Sequence, residues 1–385
     1  MPMKPILTKV AFWSLLACLA TGLAACVHHD EPEPGETVTV KAVISLSGYV
    51  DEELDFKLGQ EKDLPIRKAL VDYINPIFYS DAHDIDISLF DQRKHGERTS
   101  RLADAINGLE KVFTLEADAS DYRFGAAANL SPNPSVSLSA GDTEQDYSLV
   151  QESGTTDPHR AALFSTRGRA NVRKGQGAEF TATLCMNNVV VALILNRDSC
   201  EVKSIRATYD GLADSFRILD SLYTYDRQVV VNTDPIDIQP YLGSDEDLTS
   251  ETDFWSYDLA WTQWTKTPLM VCGTGLPSRN FGTDVIDGKV IIWTIHLYVT
   301  LADGSVTKND IFIGQPVMAG RLKIIKGWLL ANGSFTPTPP LEPQGGFVTP
   351  DPEPGPPTPP SPDDAVVGVN VILQWQEGLT YEPTL

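Results

Sequence analysis

The sequence predicts an all-β protein of two domains, with short helices in the connections between strands. Apolar and polar residues alternate over residues 38–44 and again over residues 291–301, which is the period of a half-buried strand. Turn signals such as Asp210-Gly211 and Asp303-Gly304 follow runs of this kind. Without its first 25 residues the 385-residue chain keeps 360 residues, a length typical of two domains.

The N terminus has the organisation of a lipoprotein export signal. Two lysines precede an apolar run over residues 10–20, and Leu23-Ala24-Ala25-Cys26 follows. The run is too short to span a bilayer, and a cysteine thiol is the nucleophile that accepts a diacylglyceryl group. We therefore predict a signal peptide over residues 1–25 and lipid attachment at Cys26. The alternatives are an ordinary secretory signal and an uncleaved anchor helix.

The charge of the mature chain argues against nucleic acid as a partner. The predicted signal holds two of the 30 basic residues and none of the 52 acidic ones, so the remainder carries 28 − 52 = −24. An acidic surface also disfavours binding to anionic lipid through a basic patch, so membrane attachment depends on the lipid. Residues 26–36 are acidic and contain proline, which predicts a solvated tether.

The first domain is predicted to span residues 37–235 and to consist mainly of strands. Alternation or apolar runs predict strands over residues 38–44, 85–90, 111–115, 122–129, 180–184, 189–195, 202–209 and 229–232. A hairpin is the simplest connection between residues 111–115 and 122–129. Residues 132–157 are polar and are predicted to form a loop.

Two short helices are predicted in the connections of this domain. In the first, Asp63 is a candidate cap, Pro65 suits the first turn, and Asn75-Pro76 is expected to end the helix. The second covers residues 100–109, where Leu102, Ile106 and Leu109 share one helical face.

Three cysteines remain after Cys26, namely Cys185, Cys200 and Cys272. If residues 181–195 form one strand, Cys185 lies about ten residues, or roughly 30 Å, from the turn that holds Cys200. A disulfide requires Cα atoms within about 7 Å. We therefore predict reduced, buried cysteines and a fold without disulfides, although a turn at Asn187-Asn188 would weaken the argument.

The second domain is predicted over residues 236–335. Its clearest strand, residues 291–301, forms a hairpin with residues 306–313, and residues 321–330 form a third strand. Residues 336–364 contain twelve prolines and are predicted to be an extended linker, because proline cannot donate to a sheet. Residues 365–385 contain a last strand and a tail.

The last strand is a candidate partner strand for another subunit. Its alternate positions are apolar: Val367, Val369, Val371, Leu373 and Trp375. An apolar strand on a long linker must bury this face, either on its own second domain or at the sheet edge of another subunit.

The sequence contains no motif of a known catalytic, metal or cofactor site. It has no Gly-rich phosphate loop, no H-E-x-x-H and no G-x-S-x-G, and its histidines lack metal-ligand spacing apart from the adjacent pair in the tether. The acidic run over residues 245–247 lacks the glycine of an EF-hand loop. We therefore predict a protein that is not an enzyme, although no sequence argument excludes a carboxylate pair for glycoside hydrolysis.

A cluster of aromatic residues supports an alternative function. Trp255, Tyr257 and Trp261 share one face if their segment is extended. Such a face stacks on sugar rings or packs in a core or between domains. The alternative is therefore a surface glycan-binding lipoprotein.

Several segments of the chain together resemble a known family. These segments are the lipobox Leu23-Ala24-Ala25-Cys26, the early strand over residues 38–44, Ile87-Ser88-Leu89-Phe90-Asp91, Tyr122-Arg123-Phe124-Gly125-Ala126-Ala127-Ala128-Asn129-Leu130 and the closing Val369-Asn370-Val371-Ile372-Leu373-Gln374-Trp375. They resemble Bacteroidales-type fimbrial subunits, most of all the FimB-type anchor lipoproteins. The resemblance implies two transthyretin-like β-sandwich domains, an outer-membrane lipid anchor and strand exchange with other fimbrial subunits. Only Cys26 carries over as a functional residue.

The same resemblance leaves the role within the fimbria open. Shaft subunits of this family are trimmed after an arginine, for which Arg67 is the candidate, whereas anchors do not require trimming. The Pro-rich linker and the charged segment over residues 49–82 depart from the family pattern. Anchor, tip and shaft roles all remain open at this point.

Overall fold

The computed structural model describes residues 35–45, 49–79, 82, 84–91, 96–102, 110–139, 147–197, 200–238, 267–282, 284–286, 288–338 and 366–373. The predicted signal peptide, with most of the tether and of the Pro-rich linker, lies outside these residues. Cys26, Trp255, Tyr257, Trp261 and Trp375 lie outside them as well.

The described residues form mainly strands, so the all-β prediction is confirmed. The two helices are α1 (Tyr49–Leu58) and α2 (Leu64–Phe78), with a 3-10 turn over Glu61–Asp63 between them. The strands are β1 (Glu36–Ser45), β2 (Ile85–Phe90), β3 (Gly96–Leu102), β4 (Glu110–Ala117), β5 (Asp121–Ala128), β6 (Val136–Ser139), β7 (Ser148–Gln151), β8 (Gly154–Thr156), β9 (Phe164–Asn171), β10 (Ala178–Met186), β11 (Val189–Asn196), β12 (Val202–Asp210), β13 (Ser215–Arg217), β14 (Leu222–Thr224), β15 (Val229–Asn232), β16 (Asp234–Ile236), β17 (Leu269–Gly275), β18 (Asp284–Ile286), β19 (Lys289–Ile291), β20 (Trp293–Leu301), β21 (Val306–Ile313), β22 (Leu322–Leu329), β23 (Phe335–Thr336) and β24 (Val366–Leu373).

These strands build four larger sheets that pack face to face. A seven-stranded sheet has the order β3-β2-β5-β9-β10-β1-β4, and a four-stranded sheet, β14-β13-β7-β6, shares a hydrophobic core with it. A five-stranded sheet, β16-β17-β11-β22-β23, and a six-stranded sheet, β24-β21-β20-β12-β15-β8, enclose a second core as a β-sandwich. A third core joins α1 and α2 to the seven-stranded sheet and to the outer face of the five-stranded sheet.

The alternation that predicts β1 also determines its burial. Val38, Val40, Ala42 and Ile44 are buried, and the intervening residues are more exposed. β1 pairs in parallel with β10 and antiparallel with β4, so it lies inside the seven-stranded sheet.

The predicted hairpin between β4 and β5 is wrong. β4 pairs with β1, whereas β5 pairs with β2 and β9. The end of β5 is buried on both faces, with Ala126 and Ala128 in one core and Ala127 in another. β5 therefore lies in the interior of the seven-stranded sheet, covered on both faces and paired on both edges by β2 and β9.

The first predicted helix is confirmed as α2, but Asn75 and Pro76 do not end it. Pro76 lies in the last turn, where it removes one backbone hydrogen bond but the helix continues to Phe78, and the Tyr79 N–H donates to the Asn75 carbonyl at 3.0 Å. Asp63 occupies the N-cap position without a side-chain capping bond. α1 was not predicted, because its charged residues obscure Val50, Leu54 and Leu58, which are buried at a spacing of four.

The second predicted helix is wrong where the structure describes it. Residues 100–102 belong to β3, with Leu102 opposite Ile85 on β2, and residues 103–109 lie outside the described residues. The predicted loop over residues 132–157 contains β6, β7 and β8, which are three or four residues long and too short for alternation to reveal. β9 was missed as well.

The chain changes sheets at Asn187 and Asn188, so residues 181–195 are not one strand. The buried Asn188 side chain accepts the Leu163 N–H at 3.2 Å and donates to the Ala161 carbonyl at 3.0 Å. The Asn187 amide donates to the Ser165 hydroxyl at 2.7 Å. β10 before this point lies in the seven-stranded sheet, and β11 after it lies in the five-stranded sheet.

None of the three described cysteines forms a disulfide bond within the described residues. Cys200 and Cys272 are buried, as predicted, whereas Cys185 is exposed, which corrects its predicted burial. The cause is the strand alternation of β10, which places Ala182, Leu184 and Met186 in the core and Cys185 on the opposite face.

Strands assigned by the sequence to the first domain pair with strands of the second. β11 lies between β17 and β22, and β12 lies between β20 and β15. β8 joins the six-stranded sheet and β13 joins the four-stranded sheet, so the chain passes between the two halves more than once. One of these passages, from the seven-stranded to the five-stranded sheet, lies at residues 187–188, before the predicted boundary at residue 235.

The hydrogen bonds of Asn188, where the chain changes sheets, lead to a prediction about stability. We expect Asn188→Ala to lower the free energy of unfolding by about 2–4 kcal/mol, because the Leu163 N–H and the Ala161 carbonyl both lose a buried partner. Asn171→Ala is the matched control, since the exposed Asn171 contacts only Asp121 among its described side-chain partners and its loss should cost under about 1 kcal/mol. Denaturant unfolding measures both, and equal losses would contradict the role of Asn188.

Candidate interaction edge of the six-stranded sheet

The last strand of the chain forms the edge of the six-stranded sheet. β24 pairs in parallel with β21, from Val306 opposite Val366 to Ile313 opposite Leu373. Parallel neighbouring strands need a long connection. The connection from β21 to β24 includes β22, β23 and residues 337–365. The strand predicted from the alternation is therefore confirmed, apart from Trp375, which lies outside the described residues.

The predicted partner-strand positions follow the register of the buried positions of β21. Val367, Val369, Val371 and Leu373 are the register partners of Thr307, Asn309, Ile311 and Ile313, and all four of these β21 residues are buried. The register therefore agrees with the first of the two uses considered above, in which the strand folds back onto its own sheet.

Two polar residues of β21 join the two sheets at this edge. The buried Asn309 amide donates to the Gly333 carbonyl at 3.1 Å, and its oxygen accepts the Phe335 N–H at 2.8 Å. The Thr307 hydroxyl donates to the Asn332 carbonyl at 2.6 Å. Asn332 and Gly333 belong to the turn that leads into β23 of the five-stranded sheet. Side chains of β21 itself therefore hold the two sheets together at this edge.

A histidine between two carboxylates lies on the other face of the same strands. The His296 Nδ1 lies 2.6 Å from Asp310 Oδ1, and Nε2 lies 3.9 Å from Asp210 Oδ2. Asp210 and Asp310 both favour the protonated ring and raise the pKa of His296 above its ordinary value, with Asp310 at the shorter distance. His296 in turn holds the pKa of Asp210 below its ordinary value.

Neighbouring polar groups complete this cluster. The Gln228 amide donates to Asp210 Oδ2 at 2.9 Å, and the Lys308 ammonium lies 3.4 Å from Asp310 Oδ2. Asp310 is the register partner of Asn370 on β24. The cluster therefore lies one strand away from the edge that β24 forms.

Sequence reasoning did not identify Asn309 or the His296 cluster. Asn309 lies in the alternate set of positions 307, 309, 311 and 313, and its place in this set is the signal that indicates a buried amide. His296 and Asp310 are distant in sequence and meet only because β20 and β21 pair in this register.

The remaining candidate features give no further site within the described part of the chain. No group of three or more His, Cys, Asp and Glu residues there has a geometry that could hold a metal ion. Neither α1 nor α2 has the length and apolar character of a membrane-spanning helix. The predicted lipid site at Cys26 and the aromatic platform of Trp255, Tyr257 and Trp261 fall outside the residues that the structure describes.

No protein-family model and no curated protein matches the chain. Solved structures similar to it include a candidate adhesin from Bacteroides ovatus, with a TM-score of 0.42, 8% identity and coverage of 75% of this chain and 87% of that one. A candidate cell adhesion protein from Bacteroides eggerthii has a TM-score of 0.41, 13% identity and coverage of 81% and 94%. The fimbrial anchor protein Mfa2 from Porphyromonas gingivalis has a TM-score of 0.38, 8% identity and coverage of 68% and 77%. Similarity at this level does not extend the roles of these proteins to this chain.

The histidine cluster makes a pH prediction. The pKa of His296 is raised in the folded state, so protonated His296 stabilises the fold. This contribution to the free energy of unfolding is complete below the ordinary histidine pKa of about 6.5 and is lost as the pH rises through the raised pKa. We expect the free energy of unfolding to fall less between about pH 6 and pH 9 in His296→Gln than in the unmodified protein. Gln228→Ala keeps the histidine and should retain the full decrease; an unchanged decrease in His296→Gln would contradict the assignment.

Proposed function

We propose that this chain is a lipid-anchored structural subunit of a bacterial surface fimbria, in an anchor, accessory or tip role, which joins other subunits by β-strand addition. The proposed anchor is Cys26 in the outer membrane, and the proposed partner strand is β24 with the tail that follows it. The expected partners are other fimbrial subunits, with no role for nucleic acid.

The position of β24 is the observation that carries this proposal. β24 occupies a sheet edge and contributes backbone hydrogen bonds in register with β21. Edge strands of this kind pair with other chains through their backbone, and their alternate side chains add specificity. The same strand is therefore suited to pair with the edge of a neighbouring subunit.

The length of the Pro-rich linker and the contacts of β21 both support exchange of β24 between subunits. A Pro-rich segment as long as residues 339–365 reaches on the order of 80 Å when extended, which exceeds the size of one domain. Asn309 and Thr307 hold the edge of the sandwich through their own contacts with the turn over residues 332–335. Departure of β24 should therefore leave the remaining sheets intact.

The environment of Arg67 favours the anchor or accessory role over the trimmed shaft role. Arg67 lies in the second turn of α2 and forms an ion pair with Asp55 at 2.7 Å. A protease that binds extended chain would have to unwind this helix first. β1, which trimming would release, is paired on both sides by β10 and β4.

Strand addition is tested by a pull-down of the native lipoprotein in mild detergent, analysed on a denaturing gel with and without heating. We expect a heat-sensitive ladder that contains other β-rich subunits, because strand-paired assemblies resist detergent until they are heated. Val369→Lys with Val371→Lys should abolish the ladder, whereas Asn370→Lys, at the intervening register position, should retain it. A monomer on the unheated gel, or a ladder unaffected by the double substitution, would contradict strand addition.

Lipid attachment is tested by metabolic labelling with an alkyne analogue of palmitate. We expect Cys26→Ser to lose the label and to leave the membrane fraction, because the thiol that accepts the lipid is absent. Cys185→Ser removes an exposed thiol elsewhere and should remain labelled and membrane-bound. Equal labelling of both variants would show that Cys26 is not the anchor.

A further inference from the structure

A cavity of about 640 Å³ opens between the end of α1, the 3-10 turn that follows it, and the ends of β11 and β22. Its volume lies within the range of small-molecule pockets, roughly 300–1,000 Å³. We refer to this cavity as the α1–β22 cleft. It is distant in sequence from β24 and belongs to the opposite side of the five-stranded sheet from the sandwich core.

The strand register explains why polar and aromatic residues line the cleft. Leu322 and Ile324 on β22 are buried in the core that the helices share. Lys326 and Trp328 occupy the next two alternate positions of β22, where α1 has ended. Their register partners on β11 are Ile194 and Asn196, which also line the cleft.

A buried carboxylate in the cleft has one oxygen without a partner. The Asp63 residue is 2% exposed, and its Oδ2 accepts a hydrogen bond from the Lys326 ammonium at 3.1 Å. Oδ1 is buried and has no hydrogen-bond partner among the described residues. A buried acceptor that has lost its hydration without replacement favours a ligand that donates a hydrogen bond, such as a hydroxyl group.

Two aromatic rings are available to a ligand at the same place. Phe56 is 79% exposed, and Trp328 is partly exposed. The Lys57 ammonium lies 5.0 Å from the centroid of the Phe56 ring. Partly exposed aromatic rings beside polar groups are suited to stack on the apolar faces of sugar rings.

The cleft is locally basic in an acidic protein. Lys57, Lys62 and Lys326 line it, and its two carboxylates are paired, Asp55 with Arg67 and Asp63 with Lys326. The whole chain carries a net charge of −22. Burial lowers the pKa of Lys57, and Lys323 and Lys326 lower it further against the opposing effect of Glu53. An anionic ligand group would act on Lys57 in the same direction as Glu53 and favour its charged form.

We infer that the α1–β22 cleft binds an acidic saccharide. The sugar ring stacks on Trp328 and Phe56, one hydroxyl donates to Asp63 Oδ1, and a carboxylate lies beside Lys57 and Lys62. This site uses other residues than the aromatic platform predicted at residues 255–261, and it does not depend on the fimbrial proposal, since neither Cys26 nor β24 takes part in it.

The test is a titration of the full chain in mild detergent, followed by calorimetry and tryptophan fluorescence. The probes are trigalacturonic acid and its fully methyl-esterified form, in which a methyl ester on each carboxyl group removes the negative charge. We expect the acid to bind at least fivefold more tightly than the ester. Trp328→Ala should weaken binding of the acid at least tenfold, and Lys57→Gln should remove most of the preference for the acid.

Phe281→Ala is the matched control, because Phe281 is an 85% exposed aromatic residue outside the cleft. This variant should bind the acid as the unmodified protein does. Thermal unfolding checks that each variant is folded, and Lys57→Gln, which changes only a cleft-lining lysine, keeps the test decisive if Trp328→Ala is unstable. No binding of the acid at millimolar concentration, equal binding of the ester, or equal weakening by Phe281→Ala would overturn the proposal.

Discussion

The burial of β11 on both faces is the constraint on which the rest of the structure depends. Its alternate residues Val190, Ala192 and Ile194 pack toward the helices and the seven-stranded sheet, whereas Val191, Leu193 and Leu195 pack inside the sandwich. A strand with two apolar faces must be covered on both sides, so the five-stranded sheet becomes a shared layer between two cores. The buried hydrogen bonds of Asn188 direct the chain into this layer.

Buried polar side chains also define the open edge of the sandwich. Asn309 and Thr307 are polar residues at core-facing positions of β21, and each is satisfied by the backbone of the turn over residues 332–334 or by Phe335. These contacts therefore hold the two sheets of the sandwich together at the edge where β24 pairs with β21. A terminal strand that adds to a sandwich already held together by other contacts is suited to exchange between chains, which links this local geometry to the proposed assembly.

The charged residues are distributed unevenly over the fold. Most of the chain is acidic, yet lysines gather where β22 passes the end of α1, and a histidine lies between carboxylates on the outer face of the six-stranded sheet. These two clusters lie on different sheets and have different physical properties. The histidine cluster is satisfied within the protein, whereas the lysine cluster surrounds a cavity in which a buried carboxylate oxygen lacks a donor.

Local sequence patterns by themselves determined the strands with regular alternation, namely β1, β20, β21 and β24, together with α2. These elements are predictable because their apolar residues recur with a period of two residues in a strand or 3.6 residues in a helix. Tertiary structure alone decided the partners of β5, the strand conformation of residues 100–102, the short strands β6 to β8 and the change of sheet at Asn188. It also decided the His296 cluster and the α1–β22 cleft, whose residues are distant in sequence. The reason is that pairing and two-sided burial depend on segments far apart in the chain, and local periodicity carries no information about which of them meet.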